Sequence, residues 1–425
     1  MHARPRTPEE HQGAVRTLVG DRPVVDLPVA DAVGRPLAQA VAAVEDSPRF
    51  DNSQMDGYAL FPRHLAGGTF VVGETVAAGV DPASIAFGED AEDTEDAEDT
   101  EDTEDTEDTE DTEDAGDAVL PVMTGAKIPT GAVAVVPVER CEPPEFPSTG
   151  ACVTVPETPA GQFVRPRGSD IAAGDELLAS SHVVNERTVG VASAQGLRTL
   201  PVREPARVLI CTGGDEIGDG DGAGTGAAMI RDANGPMLTA LCEHHGMRVV
   251  GHVRTTDDPV AFGALLRAAV RRSNPTVVVT SGGISHGKFE VVRQLLSPLR
   301  GAWFGHVAQQ PGGPQGTAVF EGTPVVCLPG NPVSTAVSFR LFVAPLLGVA
   351  SSPVTAVLDA PVTGQKHKDC FHRAVRSVVD GRVLVRAVGG AGSHLLAQSV
   401  EADCLLRVPA GVRPVPGDVV VVYPL

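Results

Sequence analysis

Three short runs of β-branched residues, Arg207–Cys211, Thr276–Thr280 and Thr323–Cys327, are each bounded by turn residues and read as buried strands. Between and after them the apolar spacing changes to the helical period. Asn234-Gly235-Pro236 starts a helix with Met237, Leu238, Leu241 and Cys242 on one face, ended by Gly246. A strand is expected over 247–253, then a helix behind Asp257-Asp258-Pro259 carrying Phe262, Leu265, Leu266, Ala269 and Val270. A long apolar helix follows Pro332 to about Leu347. This alternation predicts a central α/β three-layer sandwich with a mainly parallel sheet. Residues 58–80 and 119–164 alternate in short runs broken by glycine and proline, which predicts a small β domain, and 353–425 read as a closed or sandwiched C-terminal β domain. At the N-terminus, Thr7-Pro8-Glu9-Glu10 is a capping box ahead of apolar positions 14, 15, 18 and 19. A second helix is expected over Asp31 to Val44, and the turn-rich segment Ser47–Tyr58 fits neither period.

Composition narrows the class. At 425 residues the chain is too long for one core, and length alone suggests roughly three domains. The seven cysteines are scattered with no Cys-x-x-Cys pair, which argues against a zinc site or a disulfide framework. No apolar stretch has the length of a membrane span and none follows the N-terminus as a signal peptide would, so a soluble cytoplasmic protein is expected. The formal charge of −22 is concentrated: 19 of the 55 acidic residues lie between Glu89 and Asp117 in a Glu-Asp-Thr repeat, leaving 36 acids against 33 bases elsewhere. The body is nearly neutral and offers no basic footprint for nucleic acid. The repeat itself reads as a disordered, solvated segment interrupting the small β domain.

Candidate chemistry gathers in four glycine- or proline-rich loops: Thr212-Gly213-Gly214-Asp215-Glu216, Ser281-Gly282-Gly283-Ile284-Ser285, Gln310-Pro311-Gly312-Gly313-Pro314 and Leu328-Pro329-Gly330-Asn331-Pro332. Loops at the carboxyl ends of strands line the ligand crevice of an open α/β sheet. Their backbone N–H groups suit a ligand with negative groups. Glu216, Asp257 and Glu290 near these loops make sense beside phosphate if a divalent cation, most plausibly Mg2+, sits between. Taken alone, Asp257 reads equally as a helix cap and Glu290 as a first-turn helix residue. Asp56 in Met-Asp-Gly-Tyr reads on local physics as a turn residue, and the Thr124 hydroxyl either as a phosphate ligand or as support for a bend. Asp170 is expected to pair with Arg165 or Arg167. Arg373 and Ser393-His394 could hold an oxyanion. His286, His306, His372 and His394 lack metal-ligand spacing, and no nucleophile elbow or activated cysteine is present.

The motifs Asp51-Asn-Ser-Gln-Met-Asp-Gly-Tyr-Ala59, Thr124-Gly-Ala-x-Ile-Pro129, Arg167-Gly-Ser-Asp170, Thr212-Gly-Gly-Asp-Glu216, Asp232-Ala-Asn234, Ser281-Gly-Gly-Ile-Ser-x-Gly287, Gln310-Pro-Gly312 and Leu328-Pro-Gly-Asn-Pro-Val-Ser334 follow one another in a specific order. In that order the chain resembles the molybdopterin molybdenumtransferases, the MoeA family, related to the E domain of gephyrin. The resemblance implies an elongated homodimer with a discontinuous first domain (1–46 and 160–204), an inserted β domain (47–159), a molybdopterin-binding α/β domain (205–350) and a C-terminal β domain (351–425). It also implies a cleft completed by the partner subunit's β domain.

The implied reaction is Mg2+-dependent insertion of molybdenum from molybdate into adenylylated molybdopterin, releasing AMP. Molybdopterin adenylyltransferase and apo-molybdoenzymes are the implied protein partners. Carried over by position, Asp56, Thr124, Asp170, Glu216, Asp257 and Glu290 are the implied catalytic set, the last three also holding Mg2+; Arg165 matches a functional position too. Thr212, Gly213, Gly214, Asp215, Ser281, Gly282, Gly283, Ser285, Pro329, Gly330, Asn331 and Pro332 would bind the pterin nucleotide. Arg373, Ser393, His306 and Gln310 would surround molybdate.

The chain departs from the family pattern at several of these places. His306 and Gln310 stand where relatives carry lysines, Gly313 where a third lysine stands, Glu290 for aspartate, Val133 for aspartate and Ser169 for glutamate. The lost positive charge admits a second expectation, an attenuated or non-catalytic paralogue that binds the pterin and delivers it.

Overall fold

The computed structural model describes residues 4–84, 118–213, 217–218, 230–285, 290–390 and 392–425. The acidic repeat, with Gly214, Asp215, Glu216 and His286, lies outside them. The described residues form two compact units, one of Gln39–Ser180 with Gly190–Arg198, the other of Met1–Ala38, Ser181–Val189 and Thr199–Leu425.

In the smaller unit five strands pair in the order Ala134–Pro137, Gly57–Leu60, Ala118–Val122, Gly68–Val72, Cys152–Val155. Side chains alternate across a strand, so Tyr58 and Leu60 join Val72, Val136 and Val153 in one core while Ala59 joins Leu120, Val122 and Val135 in another. Both faces are therefore covered.

The larger unit carries a six-stranded sheet in the order Arg248–Arg254, Arg207–Thr212, Val277–Ser281, Thr323–Leu328, Pro314–Phe320, Trp303–His306. The first four strands are mutually parallel; Pro314–Phe320 runs antiparallel to them, and Trp303–His306 antiparallel to Pro314–Phe320. Val208 and Ile210 face a core with Leu238 and Cys242 of the helix Asn234–His244 and Phe339 of Pro332–Phe342. Leu209 and Cys211 face Phe262 and Leu266 of Pro259–Ser273 on the other side. Each fully buried Leu, Ile or Phe contributes about 1.5–3 kcal/mol, and this double coverage is why the central strands are mostly apolar, their few hydroxyls lying at or near the strand ends. The chain order places the switch point beside Arg207–Thr212, because the first crossover goes to one side and the next to the other. Ligands of such sheets bind at that point, outside the carboxyl ends.

Beyond residue 353, five strands close on themselves: Asp369–Val379, Arg382–Ala387, Val354–Leu358, Val419–Pro424 and Cys404–Val408, which pairs back with Asp369–Val379. Gln309–Gln310 of the third loop joins this barrel as a parallel partner of Asp369 and Cys370.

The helix expected over Asp31 to Val44 does not form. Val29–Ala32 makes one 3₁₀ turn, and Gly34 then turns with φ +78°. Pro36 lacks the N–H a helix needs there. Leu37 instead donates its backbone N–H to His182 O at 2.8 Å, and Val41–Ala42 pairs with Glu176–Leu178. Tertiary pairing overrides the alanine-rich local preference.

Candidate functional site

At the switch point the glycine loops meet backbone to backbone. A Cβ placed on Gly330 would lie 3.0 Å from Gly282 Cα, so only glycine lets the two loops approach this closely. Gly213, Gly282 and Gly283 have positive φ of 113°, 96° and 66°, which is why the loops need glycine there. Ser281 is buried; its hydroxyl lies 3.1 Å from Pro329 O and 3.0 Å from the Thr335 hydroxyl, which is 2.6 Å from the same carbonyl. Asn331 accepts at Oδ1 from Val333 N at 3.1 Å and Ser334 N at 3.4 Å, capping the helix that Pro332 begins. The side chains of Ser281 and Asn331 are therefore engaged within the loops and brace them.

Thr212 has a similar internal role that the motifs alone did not indicate. Its hydroxyl lies 2.7 Å from Asp232 Oδ2 and 2.6 Å from His252 Nε2. Asp232 Oδ1 accepts from the backbone N–H of Asn234 (3.0 Å) and Gly235 (2.9 Å), and Asn234 Nδ2 donates to Gly330 O at 2.7 Å. Asp232, Asn234 and His252 are thus crevice residues missed as site candidates, although Asp-x-Asn was visible as a motif.

The acidic candidates separate. Asp258 caps the helix Pro259–Ser273, accepting from Val260 N at 2.9 Å, so the adjacent Asp257 is exposed and free of that duty. Glu290 precedes the helix Val291–Leu296 and reaches back to accept from Ser285 N at 2.9 Å, while Arg293 Nη1 donates to Ser285 O at 3.2 Å. Glu290 thereby fixes the end of the second glycine loop. Glu216 lies outside the described residues, and among those residues no three acidic, imidazole or thiol groups gather as a metal site.

Beside the third loop lies a cavity of about 50 Å³, lined among others by Gln310, Pro311, Val333, Gln365, Arg373 and Gly389. Arg373 is 6% exposed, and burial holds its pKa below the ordinary guanidinium value. It donates to Leu395 O at 2.7 Å, to Gly392 O at 3.5 Å and to Gly390 O, gripping the loop that carries Ser393. Gln310 accepts from Gln365. The structure therefore brings Arg373 and Gln310 to one pocket and leaves Ser393 and His306 off its lining.

In the smaller unit the two candidates Asp56 and Thr124 meet directly. Asp56 Oδ1 accepts from Thr124 N at 2.6 Å and from Thr124 Oγ1 at 2.7 Å, and these two bonds hold its carboxyl below the usual range. The following residue must be glycine, since a Cβ on Gly57 would sit 2.0 Å from Val136 O. The expected pairing of Asp170 is corrected. Arg167 pairs with Asp46 and Arg165 donates to Asn52 Oδ1 at 3.2 Å, while Asp170 accepts from Ser47 Oγ at 3.3 Å.

A mainly parallel sheet with a glycine-loop crevice at its switch point, followed by a barrel that supplies a buried arginine, defines a ligand-binding α/β protein. Residues 209–348, which carry that crevice, match the probable molybdopterin binding domain. Residues 6–196 match the MoeA N-terminal region (domain I and II), and 355–425 the MoeA C-terminal region (domain IV). The chain is 34% identical over 421 residues to molybdopterin molybdenumtransferase 2 of Mycobacterium tuberculosis, covering 96% of each. It is 29% identical over 423 residues to molybdopterin molybdenumtransferase 1 of the same organism, again covering 96% of each. The molybdopterin biosynthesis MoeA protein of Pyrococcus horikosii shares the fold, with a TM-score of 0.75 at 22% identity over 99% of both chains. This chain belongs to the MoeA family.

Proposed function

We propose that this protein is a molybdopterin molybdenumtransferase of molybdenum cofactor biosynthesis, inserting molybdenum from molybdate into adenylylated molybdopterin and releasing AMP. The observation that carries the reading is the buried Arg373 in a cavity of about 50 Å³ beside the glycine-loop crevice. One water needs roughly 10–15 Å³, so the cavity has room for a few oxygen-sized groups, as in a tetrahedral oxyanion. A guanidinium is the side chain best suited to such a dianion. The crevice, with its backbone donors, is assigned to the pterin nucleotide.

Asp56, Thr124, Asp170, Glu216, Asp257 and Glu290 are the proposed catalytic set. The depressed pKa of Asp56 keeps it an ionised acceptor at neutral pH, oriented by Thr124. Carboxylate oxygens are the donors magnesium prefers, and Asp257, exposed and not engaged in capping, is chemically suited to it together with Glu290 and Glu216. Bound there, magnesium would supply charge neutralisation at the phosphate. We further propose a cytoplasmic homodimer with the four-domain division given above; among the described residues no helix is long and apolar enough to cross a membrane.

The test is AMP release by the purified protein given adenylylated molybdopterin, magnesium and molybdate, each omitted in turn. Release that requires both magnesium and molybdate is expected, and the replacement of family lysines by His306, Gln310 and Gly313 would then be compatible with turnover. Nucleotide binding without molybdate-dependent release would overturn the catalytic reading.

A further inference from the structure

We propose that His252, Thr212 and Asp232 form a positioning relay that holds Asn234 against the Pro329-Gly330-Asn331-Pro332 loop and so sets the nucleotide side of the crevice. The inference rests on the functional reading above. The hydroxyl of Thr212 is buried and has one proton to give. A carboxylate only accepts, so that proton goes to Asp232 Oδ2 at 2.7 Å. The 2.6 Å contact with His252 must then run the other way, with the proton on Nε2 of the imidazole donating to Thr212 Oγ1. His252 thereby fixes the direction of the hydroxyl, and the hydroxyl fixes one oxygen of Asp232.

The second oxygen of Asp232 receives the N–H groups of Asn234 and Gly235, which anchors the start of the helix Asn234–His244. From there Asn234 Nδ2 donates to Gly330 O at 2.7 Å, and Gly330 is the residue packed on Gly282. Hydrogen bonds thus link the edge strand Arg248–Arg254 through the end of Arg207–Thr212 to the loop after Thr323–Leu328, which packs on the loop after Val277–Ser281. None of the relay residues lines the Arg373 pocket. Gly235 is fitted to the relay: a Cβ there would lie 2.6 Å from His252 Cε1 and 2.7 Å from Asp232 Oδ2. Gly235→Ala therefore disturbs the relay without removing any of its hydrogen-bonding groups.

Initial-rate AMP release by the full chain, with the KM of adenylylated molybdopterin and of molybdate measured separately, tests the proposal. His252→Leu removes one hydrogen bond to the buried Thr212 hydroxyl and Thr212→Val removes two, so each should raise the KM of the nucleotide by about tenfold or more, with the KM of molybdate unchanged. Gly235→Ala should act in the same direction. Thr212→Ser and His252→Gln, which keep a hydroxyl and an N–H donor, should restore the nucleotide KM. Joint movement of both KM values, or failure of the Ser and Gln variants to rescue, overturns the relay and leaves these residues a purely structural role. If the unsubstituted protein releases no AMP, the functional reading falls first. Calorimetric titration with AMP then decides the relay: weaker binding in Thr212→Val and His252→Leu supports it, and equal binding or none in all variants overturns it.

Discussion

Asp56 and Thr124 are 68 positions apart and share two hydrogen bonds, so the effect of one on the other is measurable. Thr124→Val removes the hydroxyl donor and keeps the backbone donor. The Asp56 pKa should rise toward the ordinary aspartate value without reaching it, as read by carboxyl carbon shifts in an NMR pH titration. A pKa depressed in the folded state stabilises above the unfolded value and loses that contribution as pH falls through the folded value, so the variant should lose its share at a higher pH. The neighbouring pair Asp257 and Asp258 gives a sharper contrast. Asp258→Ala should cost about 1 kcal/mol of stability through the lost cap, with AMP release retained. Asp257→Ala should cost less than about 0.5 kcal/mol as an exposed substitution while lowering magnesium-dependent release. Denaturant titration and rate measurement on the two variants separate the roles. A sequence cannot separate them, because two adjacent aspartates before a proline are equally good caps until the backbone register is known.

At the scale of elements, the parts of the fold that could be read in advance are those set by local physics. The capping box is present in full, with Glu10 N donating to Thr7 Oγ1 at 3.1 Å and Thr7 N donating to Glu10 Oε2 at 2.9 Å. The three β-branched runs are the central strands, because burial on both faces favours apolar side chains at nearly every position. What escaped reading depends on distant residues. The segment 31–44 has helical composition but is held extended by partners more than 100 residues away. The contact of Thr212 with His252 joins strands 40 positions apart. The first helix adds a buried histidine with no sequence signature: His11 lies between Trp303 and Phe342 at ring distances of 5.2 and 4.7 Å, and burial pushes its pKa down to about 3. The folded state thus keeps His11 neutral from its ordinary value of 6.5 down to about 3, whereas the unfolded chain binds a proton there. Stability from this group is complete above pH 6.5 and falls as pH drops through that window, by up to about 1.4 kcal/mol per pH unit. His11→Phe should flatten that part of the pH dependence in denaturant melts between pH 7 and 4; an unchanged slope would show that other groups set it.

At the scale of the whole molecule, charge and chemistry are in conflict. The proposed substrates are anions, yet the chain carries a formal charge of −22, of which the tract from Glu89 to Asp117 supplies 19 negative charges. Net charge acts on encounter rather than on fold, repelling like-charged ligands over a distance set by salt. That distance is about 30 Å at 0.01 M ionic strength and about 8 Å at 0.15 M. Deleting 89–117 should therefore lower the apparent KM for molybdate at 0.01 M salt and have progressively less effect as salt rises, with kcat unchanged throughout. The nearly neutral remainder, 36 acids against 33 bases, would leave Arg373 as the local charge that the dianion meets. A deletion that changed kcat at every salt concentration would mean that the tract acts by contact with the catalytic apparatus, since screening removes a field and leaves a contact in place.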